Sequence, residues 1–156
     1  MRISILAVGT RMQRWVYEGV DMYSKRMPRQ IQMQVTEISP GTRTARGNNE
    51  SAVEKEAALL LKRAESADLT IALDEVGVAR SSVELAEEMR GWLDHVPRVA
   101  LMIGGPDGLS ETCRGYADST WSLSRLTLPH GLVRVVLAEQ LYRAWTILQG
   151  HPYHRS

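Results

Sequence analysis

Three glycines near the middle of the chain are placed to let a ligand reach the backbone. Gly104, Gly105 and Gly108 follow the apolar run of residues 99–103, which is typical of a strand covered on both faces. Glycines at the carboxyl end of a buried strand allow close approach, and the N–H groups there point at the ligand. Ser110 is then placed to cap a helix. The stretch predicts either a ligand pocket, which open α/β sheets form at strand carboxyl ends, or a plain turn.

The end of the chain offers a second set of chemically useful groups. Tyr153, His154 and Arg155 bring together a ring that can stack, a proton acceptor and a guanidinium that can hold a phosphate. His151 precedes them, but two histidines around a proline supply too few ligands for a metal ion. We therefore expect no metal in this protein.

Arg134 shares a helical stripe with Ala138 and Leu141, which is an unusual place for a cation. A guanidinium on such a stripe loses its water and requires an anion or several acceptors. An anionic ligand would supply these, and so would a carboxylate such as Glu139 of another subunit. Arg143 differs, because its position four residues after Glu139 predicts an ordinary ion pair along one helix.

Strand and helix patterns alternate along the chain and must position these groups. Apolar or alternating runs predict strands at residues 2–9, 31–36, 69–73, 99–103 and 120–123. Helical stripes separate them, and the connections are too long for hairpins. We predict a single doubly wound α/β domain over residues 1–156, with a mainly parallel sheet and helices on both faces.

Capping residues predict where three of the helices begin. Thr10 follows the first strand and is placed to cap the next helix. Ser51 with Glu54, and Ser81 with Glu84, have the spacing of a capping box. Each of these residues therefore marks a predicted helix start.

Charge is unevenly distributed along the chain. Residues 1–63 carry +5 and residues 125–156 carry +3, whereas residues 64–124 carry −7. The basic ends either present a positive face to a polyanion or reflect chance segregation. The basic loop of residues 40–49 holds Arg43 and Arg46 among turn formers. It is either a disordered, solubilising loop or a flap that orders on an anionic substrate.

Several classes of protein are excluded by what the sequence lacks. Cys113 is the single cysteine, which excludes internal disulfides and Cys-based zinc sites and fits a small core residue. The opening residues read as a strand rather than a signal peptide, and no apolar run reaches the roughly 20 residues of a membrane span. The glycines do not form a GxGxxG or Walker pattern, which argues against dinucleotide and ATP sites. We expect a cytoplasmic protein that does not bind a membrane.

The C-terminal helix, predicted over residues 132–148, is apolar on nearly every side. Such a helix requires burial all round rather than against one sheet face. A partner subunit would provide this burial, so we predict a homodimer. The alternative is a helix buried entirely in its own core.

Long motifs carry a resemblance to a known family. LMIGGPDGLS (101–110), WSLSRLTLPHGLVRVVLAEQLYRAW (121–145), HPYHRS (151–156) and the opening ISILAVGT resemble the ribosomal RNA large-subunit methyltransferase H family, a branch of the SPOUT methyltransferases. The resemblance covers the whole chain. It implies a homodimer with a deep trefoil knot. The implied reaction is methylation of N3 of a pseudouridine in helix 69 of 23S ribosomal RNA, with S-adenosylmethionine as donor.

The resemblance also implies that the cofactor lies in the knotted loops. The corresponding positions here are Leu73, Gly104, Gly105, Ser124, Arg125, Leu126, Thr127, Leu128 and Pro129. Arg125 is larger than the small residue expected at its position. Methyl transfer from a sulfonium needs no metal, because the donor already carries a good leaving group.

The residues that act on the RNA are predicted from chemistry. The N3–H of the base must lose its proton, so we predict Tyr153, His154 and Arg155 as catalytic, reaching the partner's pocket. His154 would take the proton, and Arg155 would hold a phosphate or a ring carbonyl. Alternatively, this tail only docks the dimer. For RNA binding we predict His130, Arg134 and Arg143, and more loosely Arg11, Lys25, Arg26 and Arg29.

Few of these cations can neutralise phosphates at once, so affinity for naked RNA should be weak and salt-sensitive. The expected substrate is therefore the assembled ribosome or its large subunit. Two alternatives stay open at this point. One is a SPOUT enzyme that acts on transfer RNA, and the other is a ribosome assembly factor without enzymatic activity.

Overall fold

Five strands form a parallel sheet in the computed structural model, which describes residues 1–45 and 47–155. The strands are β1 (Arg2–Val8), β2 (Gln32–Ile38), β3 (Leu69–Ala79), β4 (Arg98–Ile103) and β5 (Ser119–Ser122). Their order is β2-β1-β4-β3-β5, and each neighbouring pair is parallel. The predicted parallel sheet is confirmed. Arg46, predicted to charge the loop beside Arg43, lies outside the described residues.

Helices cover both faces of the sheet, as predicted. They are α1 (Arg14–Ser24), α2 (Glu50–Ala64), α3 (Ser82–His95), α4 (Glu111–Tyr116) and α5 (His130–Leu148), followed by a 3₁₀ turn (Pro152–Arg155). Alternate strand residues point to opposite faces, so Ile5 packs with α1, α3 and α5 while Leu6 packs with α2 and α4. Cys113 is buried in the second layer and is the small core residue that the sequence predicts.

The strand register brings the loops of the predicted site to one edge. Ala7 on β1 pairs with Ile103 on β4, and Ile103 pairs with Leu73 on β3. Leu73 in turn pairs with Trp121 on β5. The segments that follow β1, β3, β4 and β5 therefore leave the sheet side by side at its carboxyl edge.

β3 extends six residues beyond the predicted end at Leu73, and a register shift lies between Leu73 and Val78. Past the shift, Val78 and Ala79 pair again with β5. The extension has acidic and exposed side chains, so its pattern does not resemble the buried strand before it. Gly77 is required there, because a Cβ at this residue would lie 2.5 Å from the Trp121 carbonyl carbon.

Two predicted helix starts are wrong and two are confirmed. Ser81 and Glu84 form the predicted capping box, and the Ser110 hydroxyl accepts from the Cys113 N–H. Thr10 does not cap α1, which begins only at Arg14 after an extended Gln13. Ser51 lies inside the first turn of α2, because Asn48 Oδ1 already accepts the Glu50 N–H and the helix starts one residue earlier.

α5 is enclosed on one side by its own chain. It packs between α1 and α3, and its buried residues include Leu137, Leu141 and Ala144. The side chains that point elsewhere, such as Leu132 and Val136, are half-buried. In the part of the chain that the structure describes, no helix is both long enough and apolar enough to cross a membrane.

Candidate active site

A cleft of about 690 Å³ opens at the carboxyl edge, between the loops after β3, β4 and β5 and the start of α5. Clefts of roughly 300–1,000 Å³ are typical of small-molecule sites. Its lining includes eight of the nine residues predicted to bind the cofactor: Leu73, Gly104, Gly105, Ser124, Leu126, Thr127, Leu128 and Pro129. The ninth, Arg125, is exposed and lies outside the lining. His130, predicted for RNA, also lines the cleft.

The glycine loop after β4 is a tight turn that excludes side chains. A Cβ on Gly104 would lie 2.4 Å from the carbonyl carbon of Gly108. The Gly108 N–H donates to the Gly105 carbonyl at 3.0 Å, and Gly108 has a φ of +77°. Only glycine adopts this conformation without strain. The turn therefore leaves open backbone at the floor of the cleft.

Gly104→Ala is expected to lower affinity for a ligand in the cleft at least tenfold, because the turn must move away from the added methyl group. Isothermal titration calorimetry with S-adenosylmethionine measures the change. Gly91→Ala is the matched control, since a Cβ at this α3 position meets nothing within 4 Å. Equal affinities for wild type and Gly104→Ala would show that the turn does not shape the site.

The loop after β5 is held by its own polar groups. The Ser122 hydroxyl donates to the Ser124 carbonyl at 2.9 Å, and the Leu126 N–H donates to the Ser124 hydroxyl at 2.9 Å. The Thr127 hydroxyl donates to Glu75 Oε2 at 3.0 Å, which ties this loop to the one after β3. The wall of the cleft is thus held by hydrogen bonds within the protein.

Carboxylates line the cleft and were missed by the sequence analysis. Asp74 accepts from Arg114 at 3.1 Å, Glu75 accepts from Thr127, and Asp107 lies in the glycine loop. The sequence feature that could have predicted them is the position of Asp74 and Glu75 directly after the buried part of β3, at the carboxyl edge of the sheet. Arg114 and Arg43 pair with Asp74 and Asp107, so the excess negative charge among these described carboxylates comes from Glu75, which favours a ligand with positive charge. Within residues 1–45 and 47–155, no three His, Cys, Asp or Glu side chains come together as metal ligands.

Comparison with known proteins assigns this architecture to a family. The family model described as "Predicted SPOUT methyltransferase" matches residues 1–154. The chain belongs to the SPOUT methyltransferases. It is 49% identical to "Ribosomal RNA large subunit methyltransferase H" of Hahella chejuensis over the whole of both chains. A protein of the same name from Saccharophagus degradans is 47% identical, over 99% of this chain and 100% of that one. Within the SPOUT methyltransferases, the chain therefore belongs to the methyltransferase H family.

Solved structures share the SPOUT fold at low sequence identity. A probable methylase family protein from Haemophilus influenzae superposes with a TM-score of 0.59 at 12% identity, covering 97% of this chain and 69% of that one. A Legionella pneumophila protein described as a methyltransferase with the bound cofactor S-adenosylmethionine gives 0.53 at 12% identity, over 92% and 66%. These likenesses confirm the predicted SPOUT-type α/β fold. The trefoil knot stays a prediction.

His130 opens α5 of this SPOUT methyltransferase and contacts the end of β1. Its Nε2 lies 3.4 Å from the position that a Cβ on Gly9 would occupy. Partial burial lowers the pKa of His130, and the charges of Arg134 and Arg43 lower it further. At neutral pH the imidazole is therefore uncharged, so it can accept a hydrogen bond at the mouth of the cleft.

Arg134→Met is expected to raise the pKa of His130, because removing a nearby positive charge favours the imidazolium. An NMR titration of the His130 ring protons measures this pKa in wild type and variant. The wild-type midpoint should lie below the ordinary value of about 6.5. A midpoint at or above that value would contradict the electrostatic interpretation.

Arg134 is 1% exposed, and its two terminal nitrogens donate to groups of its own chain, whereas its Nε is buried without a partner among the described groups. It donates to Glu37 Oε1 at 2.9 Å, to the Gly9 carbonyl at 2.8 Å and to the Val8 carbonyl at 3.2 Å. A carboxylate does neutralise it, but this is Glu37 rather than the partner's Glu139. Because it is buried, Arg134 does not face RNA, and we correct that prediction. It instead joins α5 to the end of β1.

Arg143 forms the predicted helical ion pair with Glu139, at 2.7 Å. Its guanidinium also lies over the Tyr153 ring, 5.1 Å from the centroid. The Tyr153 hydroxyl donates to Glu139 at 3.1 Å, and its ring meets Tyr142 edge-on at 4.9 Å. Burial raises the pKa of Tyr153, and hydrogen bonds to Tyr23 and Glu139 raise it further. Tyr153 is therefore a neutral phenol and does not serve as a base near pH 7.

The C-terminal tail, residues 151–155, lies on its own α5 and away from its own cleft. Glu139, which holds Tyr153, comes nine residues after the helix start at the cleft, or about 14 Å along the axis. His154 is half-buried, and its Nδ1 has no hydrogen-bond partner among the described groups. Arg155 is exposed. The three residues predicted to be catalytic are thus together, but not at the cleft of the same chain.

Proposed function

We propose that this protein methylates N3 of a pseudouridine in helix 69 of 23S ribosomal RNA, using S-adenosylmethionine, as a cytoplasmic homodimer that acts on assembled ribosomes. The observation that carries the proposal is the glycine-floored cleft in a chain 49% identical, over its full length, to a ribosomal RNA large subunit methyltransferase H. The likeness to a structure with bound S-adenosylmethionine supports the fold of such a site.

The cleft fits S-adenosylmethionine in shape and in charge. Gly104 and Gly105 line the cleft without side chains, so its floor offers open backbone to a flat adenosyl group. Leu73, Gly105 and residues 124–129 would hold the cofactor, and the Glu75 carboxylate of the lining favours its positive charge. When bound, the cofactor supplies a methyl group on a sulfonium centre.

The tail supplies the groups that the base requires. The N3–H lies between two ring carbonyls and must lose its proton before or during transfer. His154 is the candidate acceptor. Because its Nδ1 is buried and unpartnered among the described groups while the residue is only half-buried, the other ring nitrogen, Nε2, would take the proton. Arg155 is exposed and can neutralise a phosphate or a ring carbonyl.

The position of the tail supports a homodimer. Tyr153 is held about 14 Å from the start of its own α5, so the tail lies away from its own cleft, which favours action at the cleft of a second subunit. The half-buried side chains of α5 offer the surface on which that subunit would pack. Each active site would then combine the cleft of one protomer with the tail of its partner.

RNA binding is assigned to few side chains. His130 lies at the cleft and Arg155 on the tail, while Arg143 lies beside Tyr153. Arg134 acts as a positioning residue beneath them. Because so few cationic side chains neutralise phosphates, few counterions are released from the RNA on binding. Affinity for naked RNA should therefore be weak and salt-sensitive. The ribosome would supply the remaining contacts.

Transfer of a labelled methyl group tests the proposal directly. The purified protein is incubated with labelled S-adenosylmethionine and, separately, with ribosomes, free 23S RNA and transfer RNA. We expect label in ribosomal RNA from intact particles, on N3 of a helix 69 pseudouridine by nucleoside mass spectrometry. Label in transfer RNA would indicate another SPOUT activity, and no calorimetric binding of the cofactor would indicate an assembly factor.

A further inference from the structure

A buried ion-pair cluster lies behind the cleft and has no role in the proposed chemistry. Glu56 of α2 is 2% exposed, and both of its oxygens accept from Arg43, at 2.6 and 3.2 Å. The Gly41 N–H donates to the same carboxylate at 2.8 Å. From the other side of its guanidinium, Arg43 Nε donates to Asp107 at 2.7 Å. Arg43 therefore connects a buried carboxylate of α2 to the glycine loop.

This cluster contacts the floor of the cleft itself. A Cβ on Gly105 would lie 3.4 Å from both Arg43 Nη2 and Glu56 Oε2, so the ion pair packs directly against the glycine loop. Asp107 lies within that loop and lines the cleft. The turn between Gly105 and Gly108 is thus held at its outer end by a charge anchored in α2.

Arg43 is not available to bind an anionic substrate. Four of its five N–H groups donate to Glu56, Asp107 and the Gly41 carbonyl. Of the two interpretations that the sequence left open for residues 40–49, neither describes Arg43. A flexible solubilising loop would not bury its charge on Glu56, and a substrate flap would keep its guanidinium free.

We propose that Arg43 is a positioning residue for the cofactor cleft, which fixes the 105–108 turn through Asp107 and is itself fixed by Glu56. The proposal rests on the proposed function only in taking S-adenosylmethionine as the ligand. The planar fork of arginine is needed, because one group must satisfy two carboxylates on different elements. Lysine would keep the charge and lose this geometry.

The experiment compares Arg43→Lys and Asp107→Asn with wild type in two assays. Calorimetry should show a dissociation constant for S-adenosylmethionine raised by roughly tenfold in each variant, because the turn loses its position. At saturating cofactor, the KM for ribosomes should stay within about twofold of wild type, since Arg43 does not face the RNA. Arg98→Lys is the control, because Arg98 forms a similar fork with Asp68 at the opposite end of β4.

Hydrogen exchange supplies a readout that does not depend on the ligand. The Gly108 N–H, bonded to the Gly105 carbonyl, should exchange about tenfold faster in Arg43→Lys without any cofactor present. If wild type binds no S-adenosylmethionine but this exchange still accelerates, the proposed function fails and the positioning role stands.

Two results would overturn the positioning role. One is an unchanged affinity of the folded variants for the cofactor and an unchanged Gly108 exchange rate, with only a lower melting temperature. The other is a raised ribosome KM at unchanged cofactor affinity, which would place Arg43 in contact with RNA.

Discussion

Removal of residues 153–156 should lower methyl transfer at least about a hundredfold, the scale of a lost proton acceptor and its neighbours, and leave the dissociation constant for S-adenosylmethionine nearly unchanged. The cofactor cleft is lined by the loops after β3, β4 and β5 and by the start of α5, and its lining includes none of the described tail residues of the same chain. The tail carries His154 and Arg155, the groups proposed to act on the base. Single-turnover rates with ribosomes measure the first quantity, and calorimetry measures the second.

The same deletion also tests whether the tail acts on the partner subunit. A protomer with Gly104→Ala keeps its tail, and a protomer lacking the tail keeps its cleft, so a mixed dimer holds one complete site only if the tail crosses over. At a cofactor concentration that occupies the wild-type cleft but not the Gly104→Ala cleft, random pairing of the two chains should then restore about a quarter of wild-type activity, because half the dimers are mixed and each has one of two sites. No restoration would place the tail's action within its own chain, or limit it to docking.

Sequence patterns predicted the sheet because each strand and helix is decided by neighbours within a few residues. The adjacent apolar residues Ile5 and Leu6 indicate that both faces of β1 are covered, and the capping box of Ser81 and Glu84 indicates where α3 begins. The positions of Gly104 and Gly105 followed from the same local reasoning. The glycine loop of the cleft could therefore be predicted from local patterns, whereas Leu73 and residues 124–129 were predicted from the family resemblance.

Contacts between distant elements could not be predicted in this way. Arg134 was expected to need an acceptor, but Glu37 lies 97 residues away on an exposed-looking strand, and nothing in the pattern pairs them. The anchoring of Arg43 on Glu56 and Asp107 depends likewise on how α2 packs behind the sheet. The extension of β3 was missed because charge at Asp74 ends the apolar pattern while backbone pairing continues.

Breaking the ion pair between Arg134 and Glu37 should strongly lower the stability of the protein. Glu37→Ala should lower the free energy of unfolding by about 3 kcal/mol, because a guanidinium buried at 1% exposure loses its carboxylate and keeps its charge. Arg134→Met removes that charge and retains apolar volume. It should therefore lower the free energy of unfolding by only about 1–2 kcal/mol, because the Val8 and Gly9 carbonyls lose their hydrogen-bond donor.

Combining the two substitutions shows whether the buried charge is responsible. In the Arg134→Met background, Glu37→Ala should lower the free energy of unfolding by less than about 1 kcal/mol, since the Tyr17 hydroxyl is then the carboxylate's one partner among the described residues. Urea unfolding at fixed protein concentration, followed by tryptophan fluorescence, measures every variant, and Tyr17→Phe controls for the lost phenol bond. If Glu37→Ala is equally destabilising in both backgrounds, Glu37 stabilises the protein without Arg134. Some other contact must then hold the end of β1 against α5.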